Sequence, residues 1–358
     1  MTQTPDPANT ARPHGTDDAR DPDRATPHPD RPAEGAAGQD PATSAATQGV
    51  AIKAMTQGQL VRRRFFRHRG ALAGMTGLLF VLVLSFSSIG IGPIPGWWDK
   101  SFTATATSVD GGRMTLDLLP SFVDGDGFAF GEHPFGQDDI GVDYFAKTMR
   151  GAQQSIIIAF TVGIVATGVG AVIGAFAGFF RGWVESVLMR FTDVMITIPV
   201  LVIAAVLGRR FGSLGIGVLA VVLGLVTWTG LARLVRGEFL SLREKEFVEA
   251  ARAMGASSGR IIFRHILPNT LGVIIVSATL AVAAAVLLET ALSYLGFGVR
   301  PPDTSLGQLI SQYQSAFLTR PWLFWWPGLF IVMIALSVNF VGDGLRDAFD
   351  PRQTRVRA

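Results

Sequence analysis

Six apolar runs separated by charged or turn-forming borders constrain this chain more than any other feature. They cover residues 71–91, 155–180, 194–208, 213–231, 270–297 and 323–341. About 20 apolar residues cross the hydrocarbon core of a bilayer as a helix, and a helix satisfies its own backbone groups where no water is available. The expectation is an all-α integral membrane protein with six transmembrane helices. Composition agrees, with 49% of the residues hydrophobic and 16% charged, against about 25% charged in soluble domains. The absence of cysteine excludes disulfide frameworks, thiolate metal sites and cysteine nucleophiles. The formal charge is only +3, and the arginines border apolar runs instead of forming one stripe, so nucleic acid is not an expected partner.

The borders divide the chain. Residues 1–50 are rich in Pro, Asp, Ala, Thr and Arg. Such a segment cannot bury enough surface to offset the entropy of ordering, so a disordered cytoplasmic tail is expected. It lacks the basic start and short apolar core of a secretory signal. Residues 51–92 read as a basic juxtamembrane segment and the first span. The run from Arg62 to Arg69 holds five arginines and His68 at the edge of that span, which favours the cytoplasm for the N-terminus. Residues 93–154 read as an aspartate-rich extracytoplasmic loop, with Trp97 and Trp98 placed for an interfacial aromatic belt. Asp124-Gly125-Asp126-Gly127 reads as a turn, because the spacing and closing Glu of a calcium loop are missing.

Residues 155–345 hold the remaining five spans. Gly170, Gly174 and Gly178 recur every fourth residue, giving one nearly bare face on which another helix can pack closely. Pro199 lies inside the third span and favours a kink there. Asp193 reads as a helix cap at the inner interface. Arg209 and Arg210 fall outside against the usual bias, while Arg233 and Arg236 return the chain to the cytoplasm. Glu289 sits in the fifth span, where an ionisable group marks function or a buried partner. It is the candidate for the translocation path, with a bond to a neighbouring helix or the outer interface as the alternative. Residues 346–358, with Arg352, Arg355 and Arg357, read as a cytoplasmic C-terminus.

Between the fourth and fifth spans lies a polar, basic loop, residues 238–269. Phe247, Ala250/Ala251 and Met254 recur on one helical face. Gly255 supplies a residue that tolerates positive φ at a helix end. Ser257 or Ser258 then caps a second short helix, and Pro268 precedes the next apolar run. Two short helices at an angle would form a protruding knob. A basic loop lying on the membrane surface is the plainer reading.

The spacing Glu249-Ala250-Ala251, Gly255, Leu267-Pro268 resembles the E-A-A loop of ABC importer permeases. Arg264-His265 followed by Leu267-Pro268-Asn269 is similar to the form of that loop in the peptide type. His133-Pro134-Phe135-Gly136-Gln137-Asp138 resembles the segment before the core in peptide importers, which usually read Gly-Arg-Asp where this chain has Gly141-Val142-Asp143. Gly342-Asp343-Gly344-Leu345-Arg346-Asp347 with Asp350-Pro351 resembles the terminus of dipeptide/oligopeptide "C" permeases. The resemblance spans roughly residues 59–352. It implies a type I ABC importer permease fold in which the loop is a cytoplasmic coupling helix docking on an ATPase. Glu249, Ala250, Ala251, Gly255, Arg264, His265, Leu267 and Pro268 are then the ATPase-coupling residues. Implied partners are a second homologous permease, two ATP-binding subunits, an extracytoplasmic substrate-binding protein and the lipid bilayer. Neither a cofactor nor a metal is implied.

None of the four lysines, Lys53, Lys100, Lys147 and Lys245, follows a glycine, so no phosphate loop for ATP is present. Metalloprotease and dinucleotide motifs are also missing. The reading is a non-catalytic transport subunit for di- or oligopeptides, with nickel chelates or peptide antibiotics as alternative cargo of the same family. A stand-alone secondary transporter or channel, or a non-transporting scaffold, are the competing classes. The first predicts ionisable residues on several spans, and the second predicts no substrate dependence in a partner ATPase.

Overall fold

The computed structural model describes residues 57–117 and 130–350. The expectations for the tail 1–50, for the turn at Asp124 and Asp126, and for Arg352, Arg355 and Arg357 lie outside the described residues. Among the described residues the only β pairing is two isolated bridges, Ile91–Ile94 and Gln137–Asp143.

Helix α1, Gln57–Phe65, carries Arg62, Arg63 and Arg64 in its last turn. His68 caps α2, Arg69–Ser88, its side chain accepting from Ala71 N–H at 2.9 Å. Next comes α3, Tyr144–Phe180, at 37 residues. It begins well before the expected span, so residues 144–154 are helix and not loop. The cause is Asp143, whose Oδ1 accepts from Ala146 N–H at 2.8 Å and starts the helix there.

The third span is broken. Helix α4, Gly182–Thr197, and α5, Val200–Phe211, meet at 84°. Pro199 therefore sits at the break and not inside a kinked helix. Ile198 before it is extended, φ −88 and ψ 125, as a residue preceding proline is driven to be. Residues 182–193 belong to α4 and are not a loop, so Asp193 is no cap. Its carboxylate instead accepts from Arg233 at 2.5 Å.

The fourth span is bent by 47° between α6, Ile216–Thr227, and α7, Thr229–Leu242. Then come α8, Glu246–Ala253, and α9, the 37-residue run Ser258–Tyr294. A short α10, Leu306–Tyr313, leads to α11, Trp322–Phe349, which contains Pro327. The Gly-Asp-Gly-Leu-Arg-Asp sequence at 342–347 is thus the last part of α11.

Four of these helices are long and apolar enough to cross a membrane alone, and each bent pair taken as one span makes six. Contacts run the first bent pair, α4 and α5, from one end of the bundle to the other. Arg181, at the start of α4, bonds Glu244 at 2.5 Å, while a Cβ on Gly212, after α5, would lie 3.2 Å from Gly298 O beyond α9. One end, the knob end, gathers Arg64 and Asp350, whose guanidinium and carbonyl meet at 3.0 Å. The opposite, cap end gathers residues 89–117, 130–143 and α10.

Small residues set the packing of the core. A Cβ on Gly170, Gly174 or Gly178 would come within 2.8, 2.5 and 2.7 Å of the carbonyl oxygens of Trp228, Ala232 and Arg236. The bare face of α3 therefore receives the backbone of α7, as small residues in lipid allow. At the cap end Trp98 Nε1 donates to Asp143 Oδ1 at 3.0 Å and its ring meets Phe145 edge-on. Trp326 stacks on Phe135 at 3.9 Å. Trp98 is therefore held by protein partners, which a free belt position would not require.

Candidate coupling surface

The expected loop 238–269 is mostly helical. Helix α7 continues to Leu242, so only residues 243–245 separate it from α8. Glu246 and Glu249 fall in the first turn of α8 and Arg252 in the last, each charge placed to suit the helix dipole. Val248 and Ala251 point inward. They join Ala175 and Phe179 of α3, Val235 and Phe239 of α7, and Ile261, Ile262, Ile266 and Ile274 of α9 in one apolar cluster.

The opposite face of α8 is open. Phe247 is 40% exposed and Met254 80%, with Glu249 and Ala250 exposed between them. The apolar periodicity in this stretch therefore marks an unburied stripe, which sequence alone does not distinguish from the inward one. Among the described residues Glu249 and Arg264 form no ion pair.

Gly255 closes α8 with φ +77. Its N–H donates to Arg252 O at 2.9 Å, and Ala256 N–H donates to Ala251 O at 3.0 Å. These two bonds make a Schellman motif, which satisfies the last carbonyls of a helix and needs a left-handed residue at this position.

The second element of the knob differs from expectation. Ser257 stands at the N-cap position without a capping side-chain bond, and it opens no separate short helix. Ile261–Ile266 is a π turn, in which Leu267 N–H reaches back five residues to Ile262 O, and the helix runs on through Pro268 to Tyr294. Proline lacks a donor and its ring crowds the carbonyl four residues earlier. A π turn widens the helix just before it, so the chain passes Pro268 without stopping. Arg264 and Pro268 are exposed, and His265 and Leu267 half-buried.

Arginines brace the knob end. Arg243 Nη1 donates to Phe179 O at 2.5 Å, and Arg236 Nε donates to Glu185 Oε1 at 2.7 Å. Arg252 lies 5.9 Å above the Phe179 ring.

Residues 170–355 match the family of binding-protein-dependent transport system inner membrane components, and residues 56–95 match the N-terminal transmembrane domain of oligopeptide transport permease C. The chain belongs to this permease family. The oligopeptide transport system permease proteins OppC of Mycobacterium tuberculosis H37Rv and Mycobacterium bovis are each 39% identical to it, over 83% of this chain and 96% of theirs. The OppC protein of Haemophilus influenzae is 34% identical over 82% of this chain and 88% of its own. An inward-facing crystal form of the MetNI methionine ABC transporter aligns with 56% of this chain and 95% of that one, at 20% identity and a TM-score of 0.47.

The permease is thus a multi-pass transport subunit of an ABC importer, whose family implies ATPase and substrate-binding partners. A groove and a buried carboxyl group lie away from its knob. The groove, about 300 Å³ and mainly apolar, opens among α3, α6, α7 and α9, lined by Thr167, Thr227, Leu231, Leu234, Ser277 and Leu280 among others. Glu289 does not line it. Its side chain is fully buried, accepting from Ser155 Oγ at 3.1 Å and from Ser293 Oγ at 2.6 Å. Sequence reading singles out Glu289 but misses these serines, because hydroxyls are common in membrane helices and carry no spacing signature.

Proposed function

We propose that this permease moves di- or oligopeptides across the plasma membrane by alternating access, driven by two ATP-binding subunits that seat on α8. The observation that carries the reading is the two-sided build of α8. Its inner face is packed into the ends of α3, α7 and α9, while its outer face offers exposed Phe247, Ala250 and Met254 beside Glu249, which has no ion pair among the described residues. A soluble surface has little reason to hold such a stripe unless a partner covers it, and a rigidly packed knob transmits a push to all three crossings.

Glu249 bonds near the docking surface, Ala250 and Ala251 permit close approach, and Gly255 sets the bend. Arg264, His265, Leu267 and Pro268 complete the coupling segment. The knob end with both described termini faces the cytoplasm, in line with the basic residues of α1 and of 233–264. A second homologous permease completes the channel, and the groove lined by Thr167, Thr227 and Ser277 is this chain's share of the path. An extracytoplasmic binding protein delivers cargo at the cap end. The names of the 34–39% identical relatives favour peptides as that cargo. The subunit itself performs no chemistry.

Purification of the tagged chain from native membranes in mild detergent tests this. The expected result is recovery of an ATPase, a second permease and a binding protein, with hydrolysis stimulated by peptide-loaded binding protein. Recovery of the intact chain alone, without ATPase activity, would overturn it.

A further inference from the structure

We propose that Glu289 is a positioning residue, fastening segment 295–308 to α3 and α9 so that the segment travels with α9 during transport. The fastening stands on geometry alone, while its travel rests on the coupling role of α8 proposed above.

The backbone end of each hydrogen-bond chain in this cluster is fixed. Backbone N–H groups only donate. Leu306 N–H donates to Ser155 Oγ at 3.2 Å, Val299 N–H to Ser293 Oγ at 3.3 Å, and Gln308 N–H to Ser305 Oγ at 3.3 Å. Ser305 Oγ passes its own proton to Ser293 Oγ at 3.1 Å. Ser155 and Ser293 then donate to the two carboxyl oxygens of Glu289. Three backbone donors of the segment thus converge, through three hydroxyls, on one side chain.

The cluster is sealed. Ser155, Ser305 and Glu289 are fully buried and Ser293 nearly so. Among the described residues Glu289 has no ion pair, so hydroxyls alone answer its carboxyl group. An acceptor with two oxygens suits two incoming hydroxyl protons, whereas an amide would turn an NH₂ group toward one of them. The site also ties three elements, with Ser155 on α3, Ser293 on α9 and Ser305 capping α10. Gly307 brings α10 against α9 so closely that a Cβ there would lie 2.6 Å from Thr290 Cα. Because α9 is one continuous helix, the knob and this fastening are its two ends. Cargo has no access to Glu289 in this arrangement.

Hydrogen exchange on the permease complex in nanodiscs reads the proposal directly. Glu289→Gln is expected to quicken exchange of the amides between 299 and 308 by up to about tenfold, the size expected from losing one hydrogen bond, while residues 246–260 stay unchanged. Ser305→Ala, which removes the α10 cap together with the outer link, is expected to quicken Gln308 and to affect Val299 and Leu306 less, and serves if Glu289→Gln does not assemble. Unchanged exchange in both variants would overturn the fastening. Trapping the wild-type complex with MgATP and vanadate is expected to alter exchange in 295–308, and Glu289→Gln to abolish that response. No response in the wild type would overturn the travel and leave the fastening standing.

Discussion

Gly174 on α3 faces Val235 on α7 so closely that a Cβ at Gly174 would come within 2.8 Å of the valine Cβ. The same Cβ would come within 2.5 Å of Ala232 O, so neither neighbour can give way by a simple rotation. Gly174→Ala is expected to cost about 1–3 kcal/mol, the usual range for overpacking a tight contact. Gly217→Ala, where a Cβ meets nothing within 4 Å, is the control. Thermal midpoints of the two purified variants check this, and equal midpoints would mean that α3 and α7 pack less tightly than these distances require.

Gly255 tests conformation without crowding, since a Cβ there also meets no atom within 4 Å. Alanine is expected to cost about 1–2 kcal/mol through the left-handed backbone alone, and asparagine less because it tolerates that region. Coupled hydrolysis in the assembled complex should therefore fall in the order Gly, Asn, Ala, Val. A flat series would show that the Schellman turn is not needed for docking.

Arg236 and Glu185 hold α7 against α4, with side chains 36% and 20% exposed. A partly exposed pair of this kind contributes little, about 1 kcal/mol or less after screening. Glu185→Gln is expected to lower stability by that amount, and the exchanged pair Glu185→Arg with Arg236→Glu to recover part of it. A double-mutant cycle on denaturation midpoints supplies the coupling energy, and a value near zero would show that the brace does not depend on this pair.

Asp138 at the cap end is a larger matter. It is buried and accepts from Val142 N–H at 2.8 Å, Lys147 Nζ at 2.9 Å and Tyr313 OH at 3.0 Å. Removing one member of a buried pair costs about 3–5 kcal/mol, so Asp138→Ala is expected to abolish or sharply lower the yield of folded protein, read by size-exclusion chromatography. Burial, and then the Asp138 carboxylate, pushes the Tyr313 hydroxyl above its ordinary value. The contribution of that hydroxyl is whole below about pH 10, where free tyrosine also keeps its proton, and is lost as pH rises further because the unfolded chain ionises first. Alkaline melting curves of Tyr313→Phe should accordingly fall less steeply than those of wild type.

The sequence carried the signals set by local chemistry. Apolar length announced the spans, the glycine at every fourth residue announced a close helix contact without naming its partner, and Gly255 announced a left-handed turn. Signals that depend on neighbours were silent. Pro199 is compatible with a kink or a full break, and the chain takes the break, at 84°. Pro268 reads as a helix start, yet a π turn lets α9 pass through it. Ser155 and Glu289 are 134 residues apart, a separation across which no spacing rule can pair a hydroxyl with a carboxyl group.

The unbroken course of α9 makes it a lever. Near its midpoint it is pinched by α11, where Gly272 lies against Phe349 and Thr279 against Gly342. From Ser258 to Glu289 it spans roughly 45 Å at 1.5 Å per residue. With that pinch as a fulcrum, a tilt of about five degrees would shift each tip by about 2 Å on such a rod, and in opposite senses. Drawing the knobs of two such subunits together would then spread their far tips. Closure on one side of the membrane and opening on the other would be one rotation, with no signal relayed between them.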